Sequence, residues 1–323
     1  MPMMNRLRHL PRRALLLICA ALPVGALTLW SLGSRGSSPV EVPPLPAPQA
    51  PLTVYHLGHS LVGADIPHFL AQFAGSGHAY NVQRGSGTAL RAHWEESEPI
   101  LDFDKVNAAP IWRDPKEALS TTDYDAVIFT EMVELRDAIK YFDGARYLNR
   151  WADLARKGNP NARLYLYETW HRLDDAEGWL NRIDADLEAL WLDELAARDD
   201  RAASDQPLYL IPGGQVLAAV TRAAEAGEIN GFSDREALFD LLPDGTRDQI
   251  HLSPLGAYIV ALTHYAVLYH RTPEGLPHRV ALADGTEFKA LDAETARQLQ
   301  SIVWRTVTHL PRTGVASAKS EAS

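Results

Sequence analysis

A serine and an aspartate–histidine pair are the residues whose types and spacing suggest catalysis. Ser60 follows the strand-like stretch 54–58 and precedes a helical pattern, so it should lie at the carboxyl end of a strand, where open α/β folds bind ligands. Asp248 and His251 are three residues apart, shortly before another helical pattern. In a turn, the carboxylate can accept the ring Nδ1–H, which leaves Nε2 free to take a proton from a serine hydroxyl. The three residues therefore predict a nucleophile, a general base and a carboxylate that orients the base.

Each of these residues also has a simpler structural interpretation. Ser60 could only cap the helix that follows it. Asp248 could hold a turn, and His251 could be a surface residue near a helix start. The combination favours catalysis over these alternatives, because a serine hydroxyl is a poor nucleophile without a base and the chain supplies both a base and its orienting group.

Two segments of the chain resemble sequence blocks of the SGNH/GDSL hydrolase family. The segment Gly58-His59-Ser60-Leu61 is similar to the first block, usually Gly-Asp-Ser-Leu or Gly-Asn-Ser. Asp248-x-x-His251, followed by Leu252-Ser253 and by Gly256, resembles the last block. The resemblance covers residues 52–270 and implies a flavodoxin-like fold in which Ser60 is the nucleophile, His251 the general base and Asp248 its orienting carboxylate.

The same resemblance implies an oxyanion hole made of two backbone N–H groups and one side chain. The backbone donors would be Ser60 and a glycine after the second strand, here Gly87, with Gly85 as the alternative. A glycine lets the backbone approach the developing oxyanion closely. The side chain would be an asparagine after the third strand, but this chain has Glu131 there, and an ionised carboxylate cannot donate a hydrogen bond. Either His59 or a protonated Glu131 could replace that donor, or Glu131 could bind a substrate hydroxyl.

A glutamate and a tryptophan follow the fourth predicted strand, at the same edge of the sheet. Trp170 could stack on a sugar ring, and Glu168 could bind the sugar hydroxyls. Alternatively, Trp170 packs beneath the long acidic helix that follows. Together with His59 and Glu131, these residues are the predicted substrate contacts.

The sequence favours neither a metal site nor a nucleotide cofactor. His56 and His59 are three apart at a strand end, so an extended chain would direct them to opposite faces. No helical His-Glu-x-x-His pair occurs. The glycines at 85 and 87 are not followed by a phosphate-binding pattern. We therefore expect no cofactor and no metal.

Short apolar strands that alternate with helices must position these residues. Such alternation predicts a three-layer α/β/α fold with a five-stranded parallel sheet. The predicted strands are 52–57, 79–83, 124–130, 163–167 and 208–211. The predicted helices are 61–73, a helix after Thr88, 141–156, 176–198, 215–226, 233–241, 254–269 and 292–310. Residues 98–122 should form a surface excursion, and 280–291 a small hairpin.

The ends of the chain differ in composition from the predicted domain at 52–310. Basic residues precede an apolar run at 14–32, so we expect a signal peptide or signal anchor over 1–33 and a periplasmic or other extracytoplasmic location. A Pro/Ser/Ala-rich linker should span 34–51, and a disordered tail 311–323. The net charge of −10 argues against nucleic acid as a partner.

These observations predict a serine esterase that hydrolyses O-acyl esters, such as acetyl groups on an envelope or secreted polysaccharide, or on a small ester substrate. An O-acyltransferase would use the same residues. A non-catalytic carbohydrate-binding or scaffold protein of the same fold is the alternative from another class, and a metal-assisted phosphohydrolase is a weaker one.

Overall fold

The structure, a computed structural model, describes residues 42–202, 205–288 and 291–316. All of them belong to one compact unit that begins at Val40. The predicted signal segment 1–33 and tail residues 317–323 lie outside the described residues. Within the described ranges, no helix combines the length and the apolarity needed to cross a membrane.

Five parallel strands form the central sheet in the order β2-β1-β3-β4-β5. Their bounds are β1 Thr53–His59, β2 Ala79–Gly85, β3 Ala126–Phe129, β4 Arg163–Glu168 and β5 Leu208–Pro212. All five predicted strands are present, and the strand order is the flavodoxin-like one. The predicted fold class is therefore confirmed.

Both faces of the sheet are covered, and strands such as β3 and β5 are therefore apolar throughout. Alternate residues point to opposite faces, so Val54 and Ile128 lie in one core while Leu57 and Phe129 lie in the other. This double burial explains why β3 and β5 appear in the sequence as continuous apolar runs.

Helices cover the two faces of the sheet and complete the three layers. One face carries α1 Asp65–Ala74, α7 Trp179–Asp186, α9 Gly213–Glu225, α10 Pro254–Tyr269 and α11 Ala293–His309. The other carries α2 Leu90–Trp94, α4 Pro115–Leu119, α5 Leu135–Phe142 and α6 Gly144–Gly158, with the segment described next. The predicted helix 176–198 continues from α7 through a π-helical segment, Leu187–Ala196, into α8 Ala197–Ala202.

Three predicted regions differ in detail from the structure. The helix predicted at 141–156 corresponds mainly to α6. A break at Asp143, which has a left-handed φ of 52°, separates α6 from the preceding helix α5. The excursion 98–122 contains α4 and another short helix, α3 Phe103–Val106. The predicted hairpin at 280–291 is present as β8 Val280–Ala281 and β9 Glu287–Phe288.

The helix predicted at 233–241 is wrong over its second half. A 3-10 turn at Arg235–Leu238 leads into β6 Phe239–Leu241, which pairs antiparallel with β7 Arg247–Leu252. Phe239 is buried, whereas Leu241 is 54% exposed, so the apolar spacing that suggested a helix is not a buried helical face. Pairing with β7 overrides the local pattern, and it places the Asp248–His251 pair on a strand.

The described chain continues beyond residues 52 and 310 in contact with the domain. The Tyr209 hydroxyl donates to the Pro43 carbonyl at 3.0 Å, and the Leu45 N–H donates to the Gly314 carbonyl at 2.8 Å. Arg312 makes two hydrogen bonds of 2.8 Å with the carboxylate of Asp200. Residues 42–51 and 311–316 therefore pack against the domain, next to β5 and α8.

Candidate active site

Ser60 lies at the junction between β1 and the helical layer. A 3-10 turn, Ser60–Val62, begins directly after the strand. The Nδ1 of His59 accepts from the Leu61 N–H at 3.5 Å, and the Gly63 N–H donates to the Ser60 carbonyl at 3.0 Å. These contacts hold the backbone of the turn while the Ser60 side chain stays partly exposed.

Ser60, His251 and Asp248 form a continuous chain of hydrogen bonds. The Ser60 Oγ lies 3.0 Å from the His251 Nε2, and the His251 Nδ1 lies 2.9 Å from the Asp248 Oδ2. The carboxylate is acceptor-only when ionised, so Nδ1 carries the proton and Nε2 can accept from the serine hydroxyl. The structure thus brings together three residues that are up to 191 positions apart.

An irregular strand allows Asp248 and His251 to meet. In a regular strand, residues three apart would point to opposite faces. Here Phe239 pairs with Leu252 and Leu241 pairs with Arg247, so β7 contains more residues than β6 between the paired positions and must bulge. The bulge brings both side chains to the same side.

Backbone amides inside the bulge bind the second carboxylate oxygen of Asp248. Its Oδ1 accepts from the N–H groups of Ile250 at 2.8 Å and His251 at 2.9 Å. Partial burial acts to raise the pKa of Asp248, but these amides and the His251 ring outweigh it and hold the pKa below its ordinary value. Asp248 is therefore an ionised acceptor with a fixed orientation.

Trp170 anchors the same bulge from the loop after β4. Its indole N–H donates to the Ile250 carbonyl at 2.7 Å, and nearby the Leu173 N–H donates to the Gln249 carbonyl at 2.8 Å. Trp170 is only 1% exposed, so most of its ring packs in the core, as the packing alternative expects. Stacking on a sugar would need a ring face that this burial does not offer.

The two glycines after β2 have different structural requirements. A Cβ on Gly85 would lie 2.3 Å from the Thr88 Oγ1, so Gly85 is needed for packing. Gly87 has a φ of +54° and open space where a Cβ would be. Since Gly85 pairs with His59 across β1 and β2, Gly87 lies close to the turn that carries Ser60. Its backbone is exposed and left-handed, and its role as an oxyanion donor stays a prediction.

His59 lies beneath the surface. It is 2% exposed, and desolvation lowers its pKa to about 3, with an opposing contribution from the backbone of Glu131. His93 and His251 lower this pKa slightly further. The contacts make His59 a neutral cap for the Ser60 turn, and its ring does not enter the cleft.

Glu131 is also fully buried. Its Oε1 accepts from the N–H groups of Leu90 at 3.1 Å and Met132 at 2.8 Å. Burial raises its pKa to about 7, although these two amides act in the opposite direction. Glu131 therefore joins the end of β3 to the start of α2, and its side chain is not exposed to solvent.

Glu168 holds the start of α9. The carboxylate is buried, and its Oε2 accepts from the Gln215 N–H at 3.1 Å. Burial raises its pKa to about 8 against the effect of the Gln215 and Gly214 amides. A carboxyl at a helix N-terminus is favourably placed, so the contacts of Glu168 are structural and do not include Ser60 or His251.

Sequence reasoning missed two polar clusters at this end of the sheet. In the first, the His93 Nε2 donates to the Gly58 carbonyl at 2.8 Å while Nδ1 lies 3.1 Å from the Gln83 amide, and burial lowers the pKa of His93 to about 4. This histidine supports β1, the strand that leads directly into Ser60. No sequence signal distinguishes it from other histidines, because its partners come from separate elements.

The second cluster surrounds Arg182 in α7. Its guanidinium donates to Asp186 at 2.8 Å, to Asp175 at 2.8 Å and to Glu134 at 2.7 Å. The Nε2 of His171 lies 3.2 Å from the Asp186 Oδ2, without the geometry of a hydrogen bond. The i to i+4 spacing of Arg182 and Asp186 was the one local signal for this cluster.

A small cavity opens beside Ser60 and His251, with a volume of about 180 Å³. Trp170 contributes one of its walls. In the described part of the chain, no group of three or more His, Cys, Asp or Glu side chains could hold a metal ion.

Comparisons with solved structures found similar folds at low sequence identity. A DUF4886 family protein from Bacteroides uniformis is 15% identical and has a TM-score of 0.52, over 78% of this chain and 93% of that chain. A putative GDSL-like lipase from Parabacteroides merdae is 11% identical, with a TM-score of 0.41 over 71% of this chain and 99% of that chain. A family two carbohydrate esterase from Clostridium thermocellum is 14% identical, with a TM-score of 0.37 over 69% of this chain and 66% of that chain.

A scan against protein-family models and a search of curated proteins found no match. The structural likeness therefore concerns the fold. The central sheet, its strand order and its flanking helices form a flavodoxin-like three-layer α/β/α fold, which is similar to the fold of the DUF4886 family protein.

Proposed function

We propose that this protein is a serine esterase that hydrolyses O-acyl esters, with Ser60 as nucleophile, His251 as general base and Asp248 as its orienting group. The observation that carries the proposal is the chain of hydrogen bonds from the Ser60 Oγ through His251 to Asp248, at 3.0 and 2.9 Å. The His251 side chain is 48% exposed, so a substrate can reach the pair of reacting groups from solvent.

In the first half of the reaction, the Ser60 Oγ attacks the ester carbonyl carbon while the His251 Nε2 takes the hydroxyl proton. The carbonyl oxygen becomes an oxyanion, and we assign its binding to the N–H groups of Ser60 and Gly87. The intermediate then collapses, the bond to the alkoxide breaks, and His251 returns the proton to the leaving oxygen. Asp248 stabilises the imidazolium that exists between the two transfers.

In the second half, water enters where the alcohol left. His251 removes a proton from the water, the resulting hydroxide attacks the acyl-enzyme carbonyl, and Ser60 leaves with the proton that His251 returns. A sugar hydroxyl in place of water would make the same site an O-acyltransferase. The half-exposed His251 leaves room for either acceptor.

The proposed oxyanion hole has one donor fewer than the family pattern implies. Two side chains follow β3, where the family pattern has its asparagine donor. The Thr130 hydroxyl already donates to the Tyr167 carbonyl at 2.8 Å. Glu131 is fully buried, and its Oε1 accepts from two backbone amides. Loss of one such donor raises the barrier by roughly 3 kcal/mol where it has been measured. We therefore expect a slow esterase that relies on the two backbone donors.

The proposed substrate is an acetylated or otherwise acylated carbohydrate of the cell envelope or a secreted polysaccharide. The support is the basic and apolar N-terminal sequence, which is typical of exported proteins. An extracytoplasmic location is part of the same proposal. A fusion of residues 1–60 to a reporter enzyme that is active only outside the cytoplasm tests it, and an inactive reporter would contradict export.

Labelling with a fluorophosphonate probe tests the nucleophile directly. We expect the wild type to be labelled and the Ser60→Ala variant to remain unlabelled. Ser233→Ala serves as the matched control, because Ser233 is an exposed serine on a surface loop and its loss should leave labelling intact.

Equal labelling of wild type and Ser60→Ala would exclude Ser60 as the nucleophile. An unlabelled wild type that still binds acetylated polysaccharide would instead favour the non-catalytic carbohydrate-binding alternative. Release of acetate from acetylated xylan and from small acetate esters distinguishes polymer from small-ester substrates.

A further inference from the structure

The cavity beside Ser60 is partly enclosed, and most of the residues that line it have apolar side chains. Its mouth contains Ser60 and His251, and its volume is about 180 Å³. The walls are formed by apolar side chains from four regions of the chain: Leu61, Ala64, Ile66, Trp170, Leu252 and Ala257. Leu61, Ile66, Trp170 and Ala257 are each less than 9% exposed, so most of the lining belongs to the core.

The chemistry of the lining favours a hydrocarbon group. The one carboxylate in the lining is Asp65, and its Oδ1 already accepts from the Ala283 N–H at 2.7 Å. A sugar ring would leave its hydroxyls without partners against the remaining aliphatic walls, and burying unpaired polar groups is costly. An alkyl chain gains from the same contact.

The volume sets an upper limit on the group that can enter. Sites for drug-sized ligands are about 300–1,000 Å³, which is larger than this cavity. An apolar protein cavity of about 150 Å³ holds benzene, so roughly six carbon atoms fill a space of this size. A polysaccharide chain would have to remain outside.

The position of the catalytic groups decides which end of an ester enters the cavity. The leaving oxygen must lie near the His251 Nε2, because this nitrogen protonates it. The alcohol that is released must then depart on the side that is open to solvent. The acyl carbon bonded to the Ser60 Oγ then has the enclosed apolar side available for its alkyl substituent. We infer that this cavity is the acyl-binding site and that it restricts the esterase to acyl chains of about six carbons or fewer.

This inference rests on the proposed esterase function and deepens it by naming the acyl class. Trp170 and Ala257 line the cavity from the loop after β4 and from α10, and we expect these two residues to limit the chain length. The alcohol side stays unrestricted, so different alcohols should be accepted with the same short acyl group.

Chain-length profiles test the inference. With p-nitrophenyl acetate, butyrate, hexanoate and octanoate, we expect wild-type kcat/KM to fall by about tenfold or more from hexanoate to octanoate, since contacts with one methylene group change rates by about this factor. In Ala257→Leu the cavity is smaller, and we expect the ratio of hexanoate to acetate activity to fall by about tenfold or more.

A second variant keeps the test valid if Ala257→Leu does not fold. Ala64→Leu places bulk at the exposed rim of the same cavity, before α1, and should lower the same ratio. Ala226→Leu is the matched control, because Ala226 is an exposed alanine at the end of α9 and outside the cavity, and it should keep the wild-type ratio.

The outcomes separate the two proposals. Hydrolysis of every ester with no dependence on chain length, or an equal loss for all four esters in the cavity variants, overturns the acyl-site inference and leaves the esterase function standing. No hydrolysis of any ester by the wild type, together with no fluorophosphonate labelling, overturns the esterase function and the acyl site with it.

Discussion

Two aspartate–histidine pairs lie at the carboxyl end of the sheet, and they differ in what surrounds them. In the Asp248–His251 pair, the atoms are 2.9 Å apart in a hydrogen bond, and the other ring nitrogen faces Ser60 at 3.0 Å. In the Asp186–His171 pair, the atoms are 3.2 Å apart without a hydrogen bond, and both side chains are at most 5% exposed. Similar residues at similar distances thus occupy an open and a closed environment.

The closed pair cannot act as a base for an external group. Desolvation lowers the pKa of His171, the charge of Arg182 lowers it further, and Asp186 only partly offsets these effects. Arg182 also donates to Asp186 at 2.8 Å, so the carboxylate serves the ion-pair cluster. We therefore expect general-base catalysis only from the pair whose second ring nitrogen is open and next to a nucleophile.

Replacing each histidine in turn gives the sharpest test of this contrast. His251→Ala should lower kcat by a factor on the order of 10⁶, as removal of a triad histidine does elsewhere. His171→Ala should lower the thermal stability because it leaves a buried cavity, while kcat stays within about threefold of wild type. Ester hydrolysis and thermal unfolding of both variants check this. A large loss of kcat in a folded His171→Ala protein would contradict the assignment.

The aspartates should differ in the same way, with smaller effects. Asp248→Asn can no longer hold the required tautomer of His251, and kcat should fall by about 10⁴-fold. Asp186→Asn weakens charged hydrogen bonds to Arg182 and should cost about 2 kcal/mol of stability with little change in kcat. Denaturant unfolding and steady-state kinetics measure the two effects. Similar kcat losses in both variants would mean that the closed cluster also serves the reaction.

Two buried tryptophans provide a matched pair for testing how the open site is held. Trp170→Phe removes the donor to the Ile250 carbonyl, a bond of about 1 kcal/mol, and should lower kcat by about fivefold with little change in KM. Trp179→Phe removes an equivalent donor, to the His171 carbonyl at 3.0 Å, and should affect stability alone. Equal effects of the two variants on kcat would show that Trp170 has no specific positioning role.

The closed pair should also be detectable in the pH dependence of stability. The pKa of His171 in the folded protein lies below its ordinary value of 6.5, so below pH 6.5 the unfolded chain binds more protons than the folded one. The free energy of unfolding should therefore fall as the pH drops below 6.5. In His171→Asn the fall should be less steep, and the two slopes should differ by up to about 1.4 kcal/mol per pH unit. Urea unfolding between pH 5 and 7 measures the slopes. Equal slopes for the wild type and His171→Asn would show that His171 does not contribute to this pH dependence.

Local patterns in the sequence predicted the strands and the residues of the proposed triad. All five strands were predicted, and for β3 and β5 the signal was a continuous apolar run, because a strand covered on both faces has no polar side. Ser60 at a strand end and the Asp248–His251 spacing were recognisable because each signal spans only a few residues. The boundaries of α5 and β6 could not be predicted from the local sequence, because they depend on packing against distant residues.

Only the tertiary structure decided which polar residues face the cleft. Three residues lie at strand ends, as substrate-binding residues do: His59, Glu131 and Glu168. Each is at most 2% exposed and accepts a hydrogen bond from a backbone N–H. The position of Trp170 just after the fourth strand predicted a residue at the rim of the sheet. Its ring instead packs into the core, and its indole N–H anchors the Asp248–His251 bulge. The physical reason is that burial depends on which helices and loops cover a strand end, and those elements lie tens of residues away along the chain.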